Sequence, residues 1–275
     1  MIGQFLLAFR EALEAALIIS IILAYLRRTG RKRLLSYSMY GVYIAITTSF
    51  VIGAVVWFLF GDLSGPAKAL FEGIAAVIAA SVLSSMIIWM ARKGREIKRE
   101  LEKQIEAAVA RNAIMAIVGF TFVVVFREGL ETVLFLTPFL VEDVAGTLIG
   151  ATIGIALALI LAYGMFIFGM KLNLGKFFFA TSILLVLLAG GLIGYGVHEL
   201  LEYSKDIGLE TGWFGSYAYV LDISESSLLH HKGIAGSVLA VLFGYTIKAE
   251  WLRLIAHLCY LAGALPLIIR IYKRP

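Results

Sequence analysis

Two stretches of this 275-residue chain place charge inside long apolar runs, Arg10-Glu11-Ala12-Leu13-Glu14 and Arg127-Glu128-Gly129-Leu130-Glu131. Both read R-E-x-L-E. An ionisable side chain near a bilayer centre costs roughly 2.5–3.5 kcal/mol even on the lenient insertion scale, so these groups must face one another or a ligand. In each copy the glutamates are three apart and the arginine lies four before the second glutamate, so all three project from one side of a helix. Two such helices face to face would surround a small polar site with four carboxylates and two guanidiniums, a formal charge of −2. That is a site for a cation. The bland alternative, charges that only glue two helices together, explains neither the duplication nor the surplus of negative charge.

The whole chain has the composition such a site requires. Apolar residues make up 61%, charged residues 16%, and mean hydropathy is +0.92, whereas soluble domains run near 45–50% and 25%. A polytopic membrane protein is predicted, with a lipid bilayer as its partner. The pI near 9.2 does not indicate nucleic acid, because seventeen of the 24 Lys and Arg cluster between or after apolar segments, the pattern of orientation signals. The single cysteine, Cys259, lies in an apolar run and provides neither a disulfide framework nor a thiolate cluster. A cleaved signal peptide is not expected, since Arg10-Glu11 interrupts the apolar region such a peptide needs.

A spanning helix needs about 20 mostly apolar residues. Spans are predicted near 2–26, 38–60, 70–91, 113–140, 146–170, 177–200 and 251–271, and the shorter run 233–247 is read as a re-entrant or interfacial helix. Basic loops at 27–33 and 92–111, Lys171 and Lys176, and the tail with Arg270, Lys273 and Arg274 form one set; the alternate loops are acidic. The positive-inside rule puts the basic set in the cytoplasm, the N-terminus outside and the C-terminus inside. The two motif helices then run in opposite directions. The expected architecture is an all-α bundle of seven transmembrane helices arranged as two inverted three-helix repeats plus one C-terminal helix. Its parts are 1–91, a first repeat; 92–112, a charged cytoplasmic linker; 113–200, a second repeat; 201–250, an outer segment; and 251–275, the seventh helix and basic tail. Inverted repeats place a substrate site near the midplane, where both motifs lie.

Other residues are candidates of lesser weight. Pro138 after Thr137 removes a helical hydrogen bond one turn from Glu131, which leaves either an exposed carbonyl ligand or a packing kink. Glu72 reads either as part of an outer capture set or as a wetted carboxylate at a helix start. His198, Glu199 and Glu202 end the sixth span, and Asp222, Glu225, His230 and His231 follow; at most they form a weak cation funnel. The linker, with glutamates interleaved with Lys98, Arg99 and Lys103, reads as a solvated, salt-bridged helix. No P-loop, Rossmann fingerprint, H-E-x-x-H or G-x-S-x-G is present, so neither ATP-driven transport within the chain nor common hydrolase chemistry has support.

The paired R-E-x-x-E helices, Met86-Ile87-Ile88-Trp89-Met90, the G-x-H-E-L run ending at Leu200, and Asp222-Ile223-Ser224 through Gly244-Tyr245 together resemble the high-affinity iron permease family, the oxidase-dependent iron transporters of fungi and bacteria. The second motif matches that family's R-E-G-x-E form, and the first has Ala12 in place of the glycine. The resemblance implies transport of iron across a plasma membrane by a multi-pass protein that is not an enzyme. It implies Glu11, Glu14, Glu128 and Glu131 as metal ligands, with Arg10 and Arg127 as counter-charges. It also implies iron as substrate, no permanently bound cofactor, and a separate oxidase or peroxidase partner. Oxygen donors agree with Fe(III), Mn(II) or Mg(II) over thiophilic ions without choosing among them. Two rivals are a proton-coupled carrier of another cation or small solute, with the glutamates as proton relay, and an intramembrane enzyme using the carboxylates for acid–base chemistry.

The charge pattern yields a topological test. Neutralising Arg31, Lys32 and Arg33 should perturb insertion while leaving metal affinity intact in the correctly inserted fraction. Reporter fusions at residues 30 and 275 should both report cytoplasmic, and an external C-terminus would overturn the seven-span reading.

Overall fold

The computed structural model describes residues 2–93, 97–110, 114–168, 174–222, 227, 236, 239, 240 and 243–273. Among them are eight α-helices: α1 Ile2–Arg28, α2 Arg33–Phe60, α3 Gly65–Lys93, α4 Ile97–Ala110, α5 Ile114–Glu142, α6 Val144–Phe168, α7 Leu174–Asp206 and α8 Trp251–Lys273. A helix occupies each of the seven predicted apolar ranges. Five are long and apolar enough to cross a membrane: Arg33–Phe60, Gly65–Arg92, Val144–Gly164, Phe178–Asp206 and Trp251–Lys273. The motif helices α1 and α5, 27 and 29 residues long, have the length, but the motif charges take them out of that purely apolar class. On α2 and α6, Phe50, Phe58 and Ile160 are 76%, 84% and 68% exposed, an apolar surface of the kind that lipid covers.

The helices sort into two units. The first holds residues 3–59 and 93–174, hence α1, α2, α4, α5 and α6; the second holds 60–92 and 175–275, hence α3, α7 and α8. The predicted helix at 233–247, like Glu225, His230, His231 and Lys171, lies wholly or largely outside the described residues.

In the first unit small residues set the helix spacing. A Cβ on Gly41 of α2 would lie 2.5 Å from the carbonyl oxygen of Val118 and 3.0 Å from the amide of Phe122, both on α5. Ser38 and Thr121 share a buried hydrogen bond of 3.1 Å along the same seam, and Val42 and Ala45 pack on Val125. Gly154 of α6 meets the backbone of α1 in the same way, 2.5 Å from Phe5 O and 2.9 Å from Phe9 N. Close approach through small residues is how helices associate where lipid removes the hydrophobic drive between them. Each motif helix carries a stacked pair of phenylalanines just before its arginine, Phe5 with Phe9 and Phe122 with Phe126. The duplicated pattern is therefore F-x-x-x-F-R-E-x-L-E, longer than the charges alone revealed.

Two connections are set by local chemistry. Gly30, at φ 73°, ends α1, with Arg31 N donating to Leu26 O at 2.9 Å. Asp143 caps α6 by accepting from Gly146 N at 2.9 Å, which permits the tight turn from α5. The α4 helix departs from the solvated linker that was expected. Ile105 is fully buried and clusters with Ile22 and Leu26 of α1 and Ile117 of α5, so only its other face is wetted.

In the second unit Gly73 of α3 and Gly196 of α7 face each other, each Cβ position 3.0–3.1 Å from the other's carbonyl oxygen. Hydrogen bonds from Tyr260 to Ser84 at 2.7 Å and between Tyr272 and Ser182 at 3.1 Å bind α8 to α3 and α7. Two short strands, β1 Tyr217–Val220 and β2 Lys248–Glu250, pair antiparallel before α8. The apolar pattern gives no sign of them, because strands of four and three residues are too short to carry a period.

The motif glycine supplies a test of the first unit's packing. A Cβ at Gly129 would overlap Ser49 Oγ and lie 2.7 Å from Ser49 Cβ on α2. Gly129→Ala should destabilise by about 1–3 kcal/mol, read as a lower thermal midpoint in detergent. Ser49→Gly should recover part of that loss, so the pair should be less than additive.

Candidate metal centre

The α1 and α5 helices carry their motifs at mid-length, and each arginine is turned on its own glutamates. Arg10 pairs with Glu11, and its Nη2 lies 2.6 Å from Glu14 Oε1. Arg127 Nε donates to Glu131 Oε1 at 2.9 Å and lies 3.8 Å from Glu128 Oε1. The copies are not equivalent. The Arg10 side chain is 3% exposed, the Arg127 side chain 45%. Charge also couples across the helices, Arg10 with Glu128 and Arg127 with Glu14.

Three of the four predicted ligands come together. Glu11, Glu128 and Glu131 each offer a carboxylate oxygen within 4.8 Å of the others. Glu14 stands outside this trio, with its Oε1 2.6 Å from Arg10 Nη2. The Oε2 atoms of Glu11, Glu128 and Glu131, and Glu14 Oε1, are buried and have no hydrogen-bond partner. Buried carboxylate oxygens in native proteins are almost always satisfied, so these orphans make the trio the candidate site for a cation. Two oxygens each about 2.1 Å from one ion sit roughly 3–4 Å apart, so a small rotation of the carboxylates would close the trio on a metal. The Thr137 hydroxyl donates at 2.7 Å to Val133 O in its own helix, and α5 continues past Pro138 to Glu142.

The residues predicted for outer capture separate in the second unit. Glu72 is 4% exposed, which corrects the reading of a wetted helix-start carboxylate. It lies beyond the first turn of α3, accepts a hydrogen bond from Tyr195 at 2.7 Å and sits 3.6 Å from Lys68 Nζ. His198, Glu199 and Glu202 each offer one ligand atom within 4.8 Å of the others. His198 Nδ1 lies 3.0 Å from Glu250 Oε1, and Nε2 lies 3.7 Å from Glu202 Oε2. Asp222 is exposed and joins neither group; Glu225 is outside the described residues. Sequence reasoning missed Glu250, which reads as an ordinary acid before a helix yet is 1% exposed. Burial pushes its carboxyl up, but the hydrogen bond with His198, its own backbone and Arg253 hold it below the usual carboxylate value.

The comparisons with known proteins place the chain in one family. The family described as Iron permease FTR1 matches residues 1–271. An uncharacterised protein of Archaeoglobus fulgidus is 45% identical over 274 residues, covering 100% of this chain and 96% of its own. Proteins named ferrous iron permease EfeU from Yersinia pestis and Escherichia coli are each 34% identical over 268 residues, covering 96% of this chain and 92% and 94% of their own. No solved structure gives a significant match. With apolar helices long enough to cross a bilayer and a family match over nearly its whole length, this chain is a membrane protein of the iron permease FTR1 family.

Proposed function

We propose that the chain is an iron permease of the plasma membrane, in which Glu11, Glu128 and Glu131 hold the travelling ion, Glu14 completes the charge around it, and Arg10 and Arg127 position the carboxylates. The observation that carries this reading is the trio of carboxylates within 4.8 Å, each with a buried oxygen that lacks a hydrogen-bond partner. Guanidinium forks fix carboxylates in place while remaining fully charged, so the arginines can hold the cage without competing for the ion. The matched family and the relatives named ferrous iron permease support iron as the cargo and make Fe(II) the first ion to test.

The same reading adopts seven spans with the N-terminus outside and the C-terminus in the cytoplasm. It sets the two motif helices in inverted repeats. Support comes from the extended duplication, two phenylalanines four apart ahead of each R-E-x-L-E, and from the glycine of a neighbouring helix seated against each motif helix. An oxidase or peroxidase that changes iron's redox state would be a separate polypeptide.

Uptake of radiolabelled Fe(II) into proteoliposomes tests the site. Glu11→Gln, Glu128→Gln and Glu131→Gln should each cut uptake by roughly tenfold or more, since even outer-shell changes weaken metal sites 10–100-fold. Glu14→Gln should cost less, because Glu14 stands outside the trio whose oxygens lie within 4.8 Å of one another. Arg10→Lys should be more damaging than Arg127→Lys, as both guanidiniums pair with two glutamates but only the first is sealed in. Near wild-type uptake in both Glu11→Gln and Glu128→Gln would assign the motif to helix pairing, and transport that follows pH but ignores iron would assign it to a proton relay.

A further inference from the structure

The motif site leaves the cluster at the end of α7 without a task. Its histidine is engaged on both ring nitrogens: Nδ1 lies 3.0 Å from Glu250 Oε1, and Nε2 faces Glu202 Oε2 at 3.7 Å. An ionised carboxylate only accepts hydrogen bonds, so the tautomer with its hydrogen on Nδ1 donates to Glu250 and turns the Nε2 lone pair toward Glu202. A buried carboxylate on the far nitrogen is the arrangement that orients imidazole ligands in metal centres.

The surroundings are short of positive charge. Glu250 Oε2 and Glu72 Oε1 are buried with no hydrogen-bond partner, although these side chains are only 1% and 4% exposed. Tyr195 donates its one hydroxyl hydrogen to Glu72 Oε2 at 2.7 Å. Glu199, Glu202 and Glu250 thus gather around one imidazole, and among the described residues the cations facing these carboxylates and Glu72 are Lys68, 3.6 Å from Glu72, and Arg253, which acts on Glu250 and Glu199.

We propose that His198 Nε2, Glu199 and Glu202 form a second site, for a divalent first-row transition ion, with Glu250 as the residue that positions the imidazole. One nitrogen and two oxygen donors suit Fe(II), Mn(II) or Zn(II), and they distinguish this site from the all-oxygen motif site. Ligands about 2.1 Å from an ion at a tetrahedral angle lie roughly 3.4 Å apart, so the 3.7 Å between Nε2 and Glu202 needs only slight closure. Three protein ligands leave coordination positions for water, as in sites that exchange their ion. The Glu202 side chain, 56% exposed, gives the ion a way in.

Mn(II) is the probe, titrated into the purified full-length chain in detergent and followed by electron paramagnetic resonance. Pulsed spectra of the unaltered protein should show nitrogen-14 modulation from a coordinated imidazole, which the motif site cannot produce. His198→Gln should abolish that modulation and remove one Mn(II) from the stoichiometry, and Glu202→Gln should weaken or remove the same ion. Glu250→Gln should keep the stoichiometry but weaken this site roughly 10–100-fold, an effect that a merely structural tie between β2 and α7 would not give. Glu128→Gln should leave the nitrogen modulation intact; if it also leaves the ion count unchanged, the motif reading fails while this one stands. Absence of nitrogen modulation in the unaltered chain, or its survival in His198→Gln, overturns the proposal.

Discussion

Charge that cannot reach water governs this molecule. Arg10, Glu11 and Glu128 are all nearly inaccessible on helices otherwise built of apolar residues. Leaving such groups unpaired is not an option in a low-dielectric interior, and pairing every carboxylate with an arginine is not possible when four face two. The ion pairs within each motif therefore reduce the cost without removing it. On the reading proposed above a cation completes that arrangement, and donors that are all oxygen bear on which ion it takes.

The cage depends on helix spacing that only small residues permit. The α2 helix lies on α5 through Ser38, Gly41, Ala45 and Ser49, while α6 lies on α1 through Gly154. Gly129 belongs to both systems at once, being a motif residue flanked by Glu128 and a contact surface for Ser49. The sequence difference between the motifs, alanine in one and glycine in the other, follows from this: Ala12 is only partly buried, whereas position 129 has no room for a methyl group. Ligand chemistry and packing are thus enforced by adjacent residues.

Much of this was readable from the order of residues alone. Helix positions followed from the length of apolar runs, and the polar site followed from charges at helical spacing in the wrong solvent. What escaped reading depends on contacts between distant segments. Glu250 looks like a routine acid at a helix start, and only the short pairing of β2 with β1 carries it to His198. Glu72 near the beginning of an apolar run reads either as a capture residue or as a wetted carboxylate, and the Gly73–Gly196 contact draws it against Tyr195. The inequality of Arg10 and Arg127 is likewise invisible in two identical motifs, since exposure is decided by the neighbours of each helix. The trio that excludes Glu14 is a fourth case, because spacing gives a shared face but not which carboxylates converge across two helices.

The α4 helix has a consequence for how the chain tolerates changes in length. Leu101 and Ile105 are one turn apart on the buried face, and Ile105 is seated among side chains of both α1 and α5. One residue inserted between them would turn the remainder of the helix by about 100° and lift that anchor out of its seat. Natural length variation in the segment between the two motifs should therefore collect at the ends of α4, or arrive in whole helical turns. The hydrophilic stretch is an angular ruler fixed at its centre, although by composition it is the most soluble part of the chain.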